Sequence, residues 1–232
     1  METSVTLGLQ HFEILKLIGE GGFGQVYLVR NRLTGLLSQS SSSSLASSLP
    51  SSSSLPPATS LPLATDQCQA EPLPTRNGTH NHQIFAMKVI SKRLLRKKNH
   101  ISYMRAERDI LTKITHPFIV SLKYAFQTET KLYLLMNFLS GGELFFHLKR
   151  RGLILEKEAL FYLGEMVLAV EFLHSNHIIH RDLKPENILL SGQGHVSITD
   201  FGFAKETGGG ENNRTLCGTS EYMAPEMLVR PL

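Results

Sequence analysis

Eight consecutive residues, His180, Arg181, Asp182, Leu183, Lys184, Pro185, Glu186 and Asn187, gather two acids, an amide, two cations and a histidine in one short stretch. A further acid follows at Asp200, beside Phe201 and Gly202. Between them, Ile188, Leu189 and Leu190, a polar turn over 191–194, and alternating Val196 and Ile198 predict a small hairpin with polar groups at both ends. Oxygen ligands at the rim of an apolar hairpin are costly unless a cation and a charged substrate neutralise them. The stretch therefore points to a site for both.

A second set of residues offers what a charged substrate needs. Gly19, Glu20, Gly21, Gly22, Phe23 and Gly24 lie between strand-like runs at 12–18 and 25–29. Glycine lets the backbone approach closely, so amides of a strand–turn–strand loop can point at phosphate oxygens. A dinucleotide-binding loop would need a helix after the last glycine, whereas Val26, Tyr27, Leu28 and Val29 read as strand. Taken alone, the loop is equally well a bare structural turn. Lys88 falls in the strand-like run 85–90, on the face of Ala86 and Ile90 and opposite Phe85, Met87 and Val89. A helix expected over 100–114 carries Glu107 inside its apolar stripe of Tyr103, Met104, Ile110, Leu111 and Ile114. A lysine and an acid, each on a buried face, predict an ion pair; the plainer alternative is an edge lysine whose ammonium reaches water.

The elements that position these groups follow from the hydrophobic pattern. Runs 117–126 and 131–138 read as two more strands, 140–143 opens an amphipathic helix through 150, and a longer apolar helix covers 156–174. The class is α+β. A β-rich part with one helix (1–137) precedes a helical part, and residues 136–139 would floor the cleft between them. The basic run 92–98 reads as a solvated helical face or a lead-in to the next helix rather than a localisation signal.

Residues 36–82 differ in character: serine makes up nearly half of 36–62, and Asp66, Glu71 and Arg76 are the only charges. Such a composition buries too little surface to offset the entropy of ordering, so it reads as a disordered insertion between two strands, its serines an inert spacer. The sequon at Asn77 and Thr79 has no secretory context and carries no meaning. At 232 residues with 41% apolar content the chain can bury a sizeable core, and a net charge of +4 does not imply nucleic acid. Cys68 and Cys217 lack metal-ligand or disulfide spacing, and Cys217 reads as a structural loop cysteine. No apolar run reaches a membrane span and no signal segment is evident, so the expectation is a soluble protein of the cytoplasm, the nucleus or both, with no membrane partner.

Together these stretches resemble a protein kinase: Gly19, Gly21, Gly24 and Val26; Ala86, Met87 and Lys88; His180, Arg181, Asp182 through Asn187; Asp200, Phe201 and Gly202; and Ala224, Pro225 and Glu226. The resemblance implies a bilobal fold: an extension at 1–11, an N-lobe at 12–137 with an antiparallel sheet, one regulatory helix and the 36–82 insertion, and a mostly helical, partial C-lobe at 138–232. It implies ATP and Mg2+ as cofactors. Loop 19–24 and Lys88 would hold the phosphates with Glu107 orienting the lysine, and Asn187 and Asp200 would hold the metal. Asp182 would accept the substrate hydroxyl's proton while Lys184 stabilises the phosphoryl group. Val26, Ala86 and Leu189 would sandwich adenine, with Met136 as gatekeeper and Glu143 at the ribose or a substrate arginine. Lys184 in this loop resembles serine/threonine kinases. Leu111, Leu122, His180 and Phe201 would form an internal column.

Thr215, Leu216, Cys217, Gly218 and Thr219 ahead of Glu221 to Glu226 resemble the AGC group. That resemblance makes Thr215 the phosphosite of an upstream activating kinase, with Arg181 and Lys205 clamping its phosphate. Glu143, Glu186 and Thr219 would recognise protein substrates with basic residues before the acceptor. Tracts 103–114, 116–120 and 126–128, with His180, are similar to ribosomal protein S6 kinases of plant type. Tyr103 stands where some AGC relatives place a histidine that touches the activation-loop phosphate. A kinase C-lobe continues well past its Ala-Pro-Glu motif, so a chain ending at Leu232 is expected to be a truncated product or a piece of one. The rival reading is a non-catalytic truncated kinase that binds nucleotide or partners as a decoy or scaffold.

Overall fold

The computed structural model describes residues 7–21, 24–32, 83–97, 101–208 and 217–228. The insertion at 36–82, Gly22, Phe23 and Thr215 lie outside the described residues.

Five strands form one antiparallel sheet: β1 (Phe12–Gly21), β2 (Gly24–Asn31), β3 (Ile84–Ser91), β4 (Leu122–Gln127) and β5 (Lys131–Asn137), in the spatial order β1-β2-β3-β5-β4. The central position of β3 follows from its composition, since it is apolar on both faces. Phe85, Met87 and Val89 join Phe12, Val29, Tyr133 and Leu135 in one core. Stacked rings at the sheet edge extend that core, Phe12 on Phe126 at 5.9 Å and Phe126 on Tyr133 at 4.8 Å between centroids. On the other face Ile90 packs with Leu95, Met104 and Leu134. Gly24 is required where β2 meets β3, because a Cβ there would collide with the backbone carbonyl of Val89.

Two helices cover that second face, the short α1 (Lys92–Lys97) and α2 (Ile101–Lys113). The basic run is thus a helix of its own with only Leu95 buried. Helix α2 buries Met104, Glu107, Ile110 and Leu111, the stripe expected from its sequence, with Ile114 continuing it just past the helix end.

Two boundaries differ from expectation. Strand β4 starts at Leu122 rather than near 117 because the preceding backbone bonds elsewhere: Ile198 N–H donates to the Phe118 carbonyl and Val120 N–H to the Ile198 carbonyl, both at 2.9 Å. The helix expected from 140 begins only at Leu144, as α3 (Leu144–Arg151), because Gly142 and Glu143 form a two-residue strand, β6 (Gly142–Glu143), instead. Helix α3 stops at Gly152, whose N–H still reaches the Leu148 carbonyl at 2.9 Å and whose positive φ of 75° then turns the chain out of the helix.

Helix α4 (Glu156–Ser175) buries Tyr162, Glu165, Ala169 and Leu173 along one stripe. Leu160, Phe161, Leu163, Val167 and Leu168 on its remaining surface are exposed. Beyond it lie β7 (Ile178–Ile179), the hairpin β8 (Ile188–Leu190) and β9 (Val196–Ile198), β10 (Lys205–Glu206) and α5 (Pro225–Leu228). Strand β10 pairs with β7, and β8 lies between β6 and β9. Ile110, Leu111, Met136, Leu173, Ile188, Ile198 and Phe201 share one buried cluster, so α2, β5, α4 and the hairpin are packed on a common core. No helix among the described residues is long and apolar enough to cross a membrane.

Candidate active site

Two polar networks lie at the ends of the hairpin. The first is centred on Lys88. Strand pairing sets Val26 opposite Lys88 and Ala86 opposite Met136, so the lysine comes from the middle of the sheet. Its Nζ donates to Glu107 Oε1 at 2.7 Å and to Asp200 Oδ1 at 3.2 Å. The ion pair expected from the two buried faces is present, and an acid 112 positions away joins it. Burial pulls the Lys88 proton affinity down, but Glu107 and then Asp200 more than offset this and hold the ammonium above the ordinary lysine range. Lys88 in turn holds the Asp200 carboxyl below the usual range, against the opposing effect of partial desolvation. The Glu107 side chain is only 1% exposed and its Oε2 is buried without a partner among the described residues.

The second network surrounds Asp182. Thr219 Oγ1 donates to its Oδ1 at 2.7 Å, Asn187 Nδ2 donates to its Oδ2 at 3.0 Å and to its backbone carbonyl at 2.8 Å, and Lys184 Nζ lies 3.1 Å from Oδ2. Lys184 also donates to Thr219 Oγ1 at 2.8 Å, closing a ring of three side chains. Both carboxylate oxygens are therefore aimed by donors from the 3-10 turn Pro185–Asn187 and from the segment around Thr219. Gly218 makes that return possible: its φ is 108°, and a Cβ there would press on the Arg181 carbonyl.

His180 joins the two networks. The Asp182 N–H donates to its Nδ1 at 3.3 Å, so the ring proton sits on Nε2 and is donated to the Thr199 carbonyl, 3.0 Å away and one residue before Asp200. Burial pushes the His180 pKa below the ordinary histidine value. The ring stands edge-on to Phe201 at 4.8 Å. Phe201 and Leu111 are buried in one cluster with Leu122 packed against it, which assembles the column expected from the resemblance. Arg181 and Asp200 both have left-handed backbones, with φ of 67° and 61°. Such conformations cost about 1–3 kcal/mol each in non-glycine residues and concentrate at functional sites.

The remaining expected residues are placed less tightly. Val26, Ala86 and Leu189 are half-buried and Met136 is buried. Leu189 pairs with the exposed Glu143 across β6 and β8. Glu186 Oε2 is buried with no partner among the described residues. Arg181 Nε donates to the Phe203 carbonyl at 2.6 Å, and Lys205 lies in β10 opposite Ile179. Loop residues Gly19, Glu20, Gly21 and Gly24 belong to β1 and β2, closing at the Gly21 and Gly24 pair. Sequence reasoning missed Glu165, whose Oε2 accepts from Val196 N–H at 2.8 Å while Oε1 lies 2.6 Å from His195 Nδ1, fastening the hairpin to α4. Its signal was the one that marked Glu107, a single acid within a buried helical stripe.

With oxygen donors, an ammonium and a glycine-bearing hairpin on one sheet and its neighbouring loop, the geometry suits a phosphorylated substrate with a divalent cation. A model of the protein kinase domain matches residues 76–231. The chain belongs to the protein kinase family. It is 43% identical over 227 residues to serine/threonine-protein kinase AtPK2/AtPK19 of Arabidopsis thaliana, covering 98% of this chain and 38% of that protein. It is 42% identical over 229 residues to ribosomal protein S6 kinase beta of Caenorhabditis elegans, covering 98% of this chain and 34% of that protein. Serine/threonine-protein kinase SCH9 of Saccharomyces cerevisiae is 40% identical over 225 residues, with 96% and 22% covered. These relatives are AGC kinases, and this chain spans well under half of their length. Kinases of this family use ATP and Mg2+ in general. The family match starts at residue 76, whereas the similarity to the relatives takes in β1, β2 and the loop between them.

Proposed function

We propose that this chain carries the catalytic apparatus of an ATP- and Mg2+-dependent protein kinase that phosphorylates serine and threonine hydroxyls in substrates with basic residues upstream. The observation that carries the reading is the pair of networks joined by His180: a lysine held charged by two acids, beside a buried carboxylate aimed by three donors. ATP, when bound with Mg2+, supplies the phosphoryl group and the metal's neutralising charge.

This chain's residues then divide the work. Lys88 offers a full positive charge to phosphate oxygens, and Glu107 keeps it oriented without a proton being lost. Asp200, half-exposed, and the Asn187 side-chain oxygen provide hard oxygen ligands. These two residues would hold a divalent cation, which would supply neutralising charge to the phosphates. Asp182 orients the acceptor hydroxyl and takes its proton, its carboxylate held in place by Thr219 and Asn187. Lys184, already bonded to Thr219, stays within reach to balance negative charge on the group in transit. The unpartnered buried Oε2 of Glu186 supports recognition of a substrate cation, since a buried acceptor without a donor is costly until one arrives. Glu143 lies on the same β6 and β8 rim. Phosphorylation of Thr215 by an upstream kinase, read by Arg181 and Lys205, completes the proposal.

The test is phosphoryl transfer from labelled ATP to an arginine-containing peptide by the purified chain, beside Asp182→Ala. Transfer by the wild-type chain, lost in the variant while ATP-dependent thermal stabilisation persists, is the expected result. Stabilisation by nucleotide with no turnover in either protein would overturn it in favour of a binding role.

A further inference from the structure

Strand β9 is an edge of its sheet, with β8 on one side only. Backbone groups on its open side must find partners elsewhere. Ile198 finds backbone ones: its N–H donates to the Phe118 carbonyl and its carbonyl accepts from Val120 N–H, both at 2.9 Å. Two residues earlier, Val196 N–H donates to a side chain instead, Glu165 Oε2 at 2.8 Å. Glu165 lies within helix α4 and is 7% exposed, and its other oxygen is 2.6 Å from His195 Nδ1. A buried carboxylate thus stands in for a neighbouring strand.

The hairpin held in this way carries groups at its far end. Asn187 immediately precedes β8, Asp200 follows β9 by two residues, and between them Thr199 N–H donates to the Asn187 carbonyl at 2.9 Å. Ile188, Leu190, Val196 and Ile198 share one buried cluster with Ala169 and Leu173 of α4, which presses the hairpin onto the core. Apolar contact is non-directional and tolerates small shifts, whereas hydrogen bonds have direction. Bonds at Ile198 alone make a pivot. A second attachment at Val196, about 7 Å along the strand, fixes its line.

We infer that Glu165 is a positioning residue: by completing the open edge of β9 from helix α4, it fixes the direction of the hairpin and with it the spacing of Asn187 and Asp200 about a divalent cation. The consequence for the cation rests on the metal-ligand reading proposed above; the tether itself does not.

Glu165→Leu fills the apolar stripe but leaves Val196 N–H without its acceptor, while His195, half-exposed, turns to water. Glu165→Gln keeps a carbonyl oxygen for Val196. Hydrogen exchange on the whole chain, without nucleotide, reads the tether. In Glu165→Leu the Val196 amide should exchange about tenfold faster or more, the worth of a hydrogen bond to a charged group, and the Thr199 amide roughly three- to tenfold faster, with β4 and β5 unchanged. ATP affinity is then measured in EDTA and with saturating Mg2+. In EDTA the leucine variant should match wild type, because Lys88 and the 19–24 loop are untouched. Its gain in affinity on adding Mg2+ should be roughly three- to tenfold smaller than that of wild type, below the loss typical of a direct partner of a metal ligand. Glu165→Gln should stay close to wild type in both measurements. An unchanged Thr199 amide or an unchanged Mg2+ gain in Glu165→Leu overturns the inference. So does acceleration spread evenly over β4 and β5, or Glu165→Gln behaving as the leucine variant. If Glu165→Leu does not fold, wild type still decides: its Val196 and Thr199 amides should open together in low urea, and a Val196 amide that exchanges as an unprotected edge overturns the tether. If Mg2+ leaves wild-type ATP affinity unchanged, the metal-ligand reading fails while the exchange data still decide the role of Glu165.

Discussion

Lys88→Met removes the ammonium while keeping an unbranched chain one atom shorter. In the native protein Glu107 Oε1 takes its hydrogen bond from Lys88 at 2.7 Å, and Oε2 has no partner among the described residues. The substitution therefore strands a carboxylate that is 1% exposed. Breaking a buried pair from one side costs about 3–5 kcal/mol. The Lys88 end is 19% exposed, so water partly replaces the ammonium and the lower value, about 3 kcal/mol, is expected. For a chain of this size that is a fall in melting temperature of roughly 6–12 °C near neutral pH. Lys88→Met with Glu107→Leu removes the buried charge and should recover most of the loss. Urea unfolding followed by circular dichroism at pH 7.5 measures wild type, the Lys88→Met and Glu107→Leu single variants and the double variant. A single variant within about 1 kcal/mol of wild type at pH 7.5, or a double variant whose loss is the sum of the two singles, would refute the argument.

Two further outcomes follow from the Asp182 network and His180. Thr219→Val deletes the hydroxyl that donates to Asp182 and accepts from Lys184; kcat should drop roughly 10- to 100-fold, the worth of a hydrogen bond to a charged group, with KM for ATP little changed and Thr219→Ser near wild type. Steady-state kinetics with an arginine-containing peptide decides it, and equal losses in the valine and serine variants would count against the hydroxyl. The buried, neutral His180 binds fewer protons folded than unfolded, so its contribution is complete above pH about 6.5 and declines as pH falls toward the lowered folded value, by up to about 1.4 kcal/mol per pH unit. Replacing it as His180→Gln should flatten that acid limb in urea titrations between pH 5 and 6.5, and parallel curves would exclude it as the source.

Much of the fold was legible because the hydrophobic pattern obeys local geometry. The alternation in β3 and the stripe of α2 needed no tertiary information, and the lysine and acid inside them predicted each other because neither buries well alone. The start of β4 and of α3 was not legible. Residues 118–120 and Gly142 and Glu143 bond to β9 and β8, and a backbone group's choice among distant partners leaves no mark on side-chain periodicity.

The same division holds at the site. The sequence by itself determined which groups are available: Asp182, Lys184, Asn187 and Asp200 flank one hairpin, and their types pointed to a cation and an anion. Only the tertiary structure decided how those groups are held. Thr219 closes on Asp182 from 37 positions away, Asp200 shares Lys88 with Glu107, and Tyr103 meets Phe203. These contacts depend on where loops return after the core has packed, so they are settled by burial of Ile188, Ile198 and Phe201 beneath them rather than by any local signal.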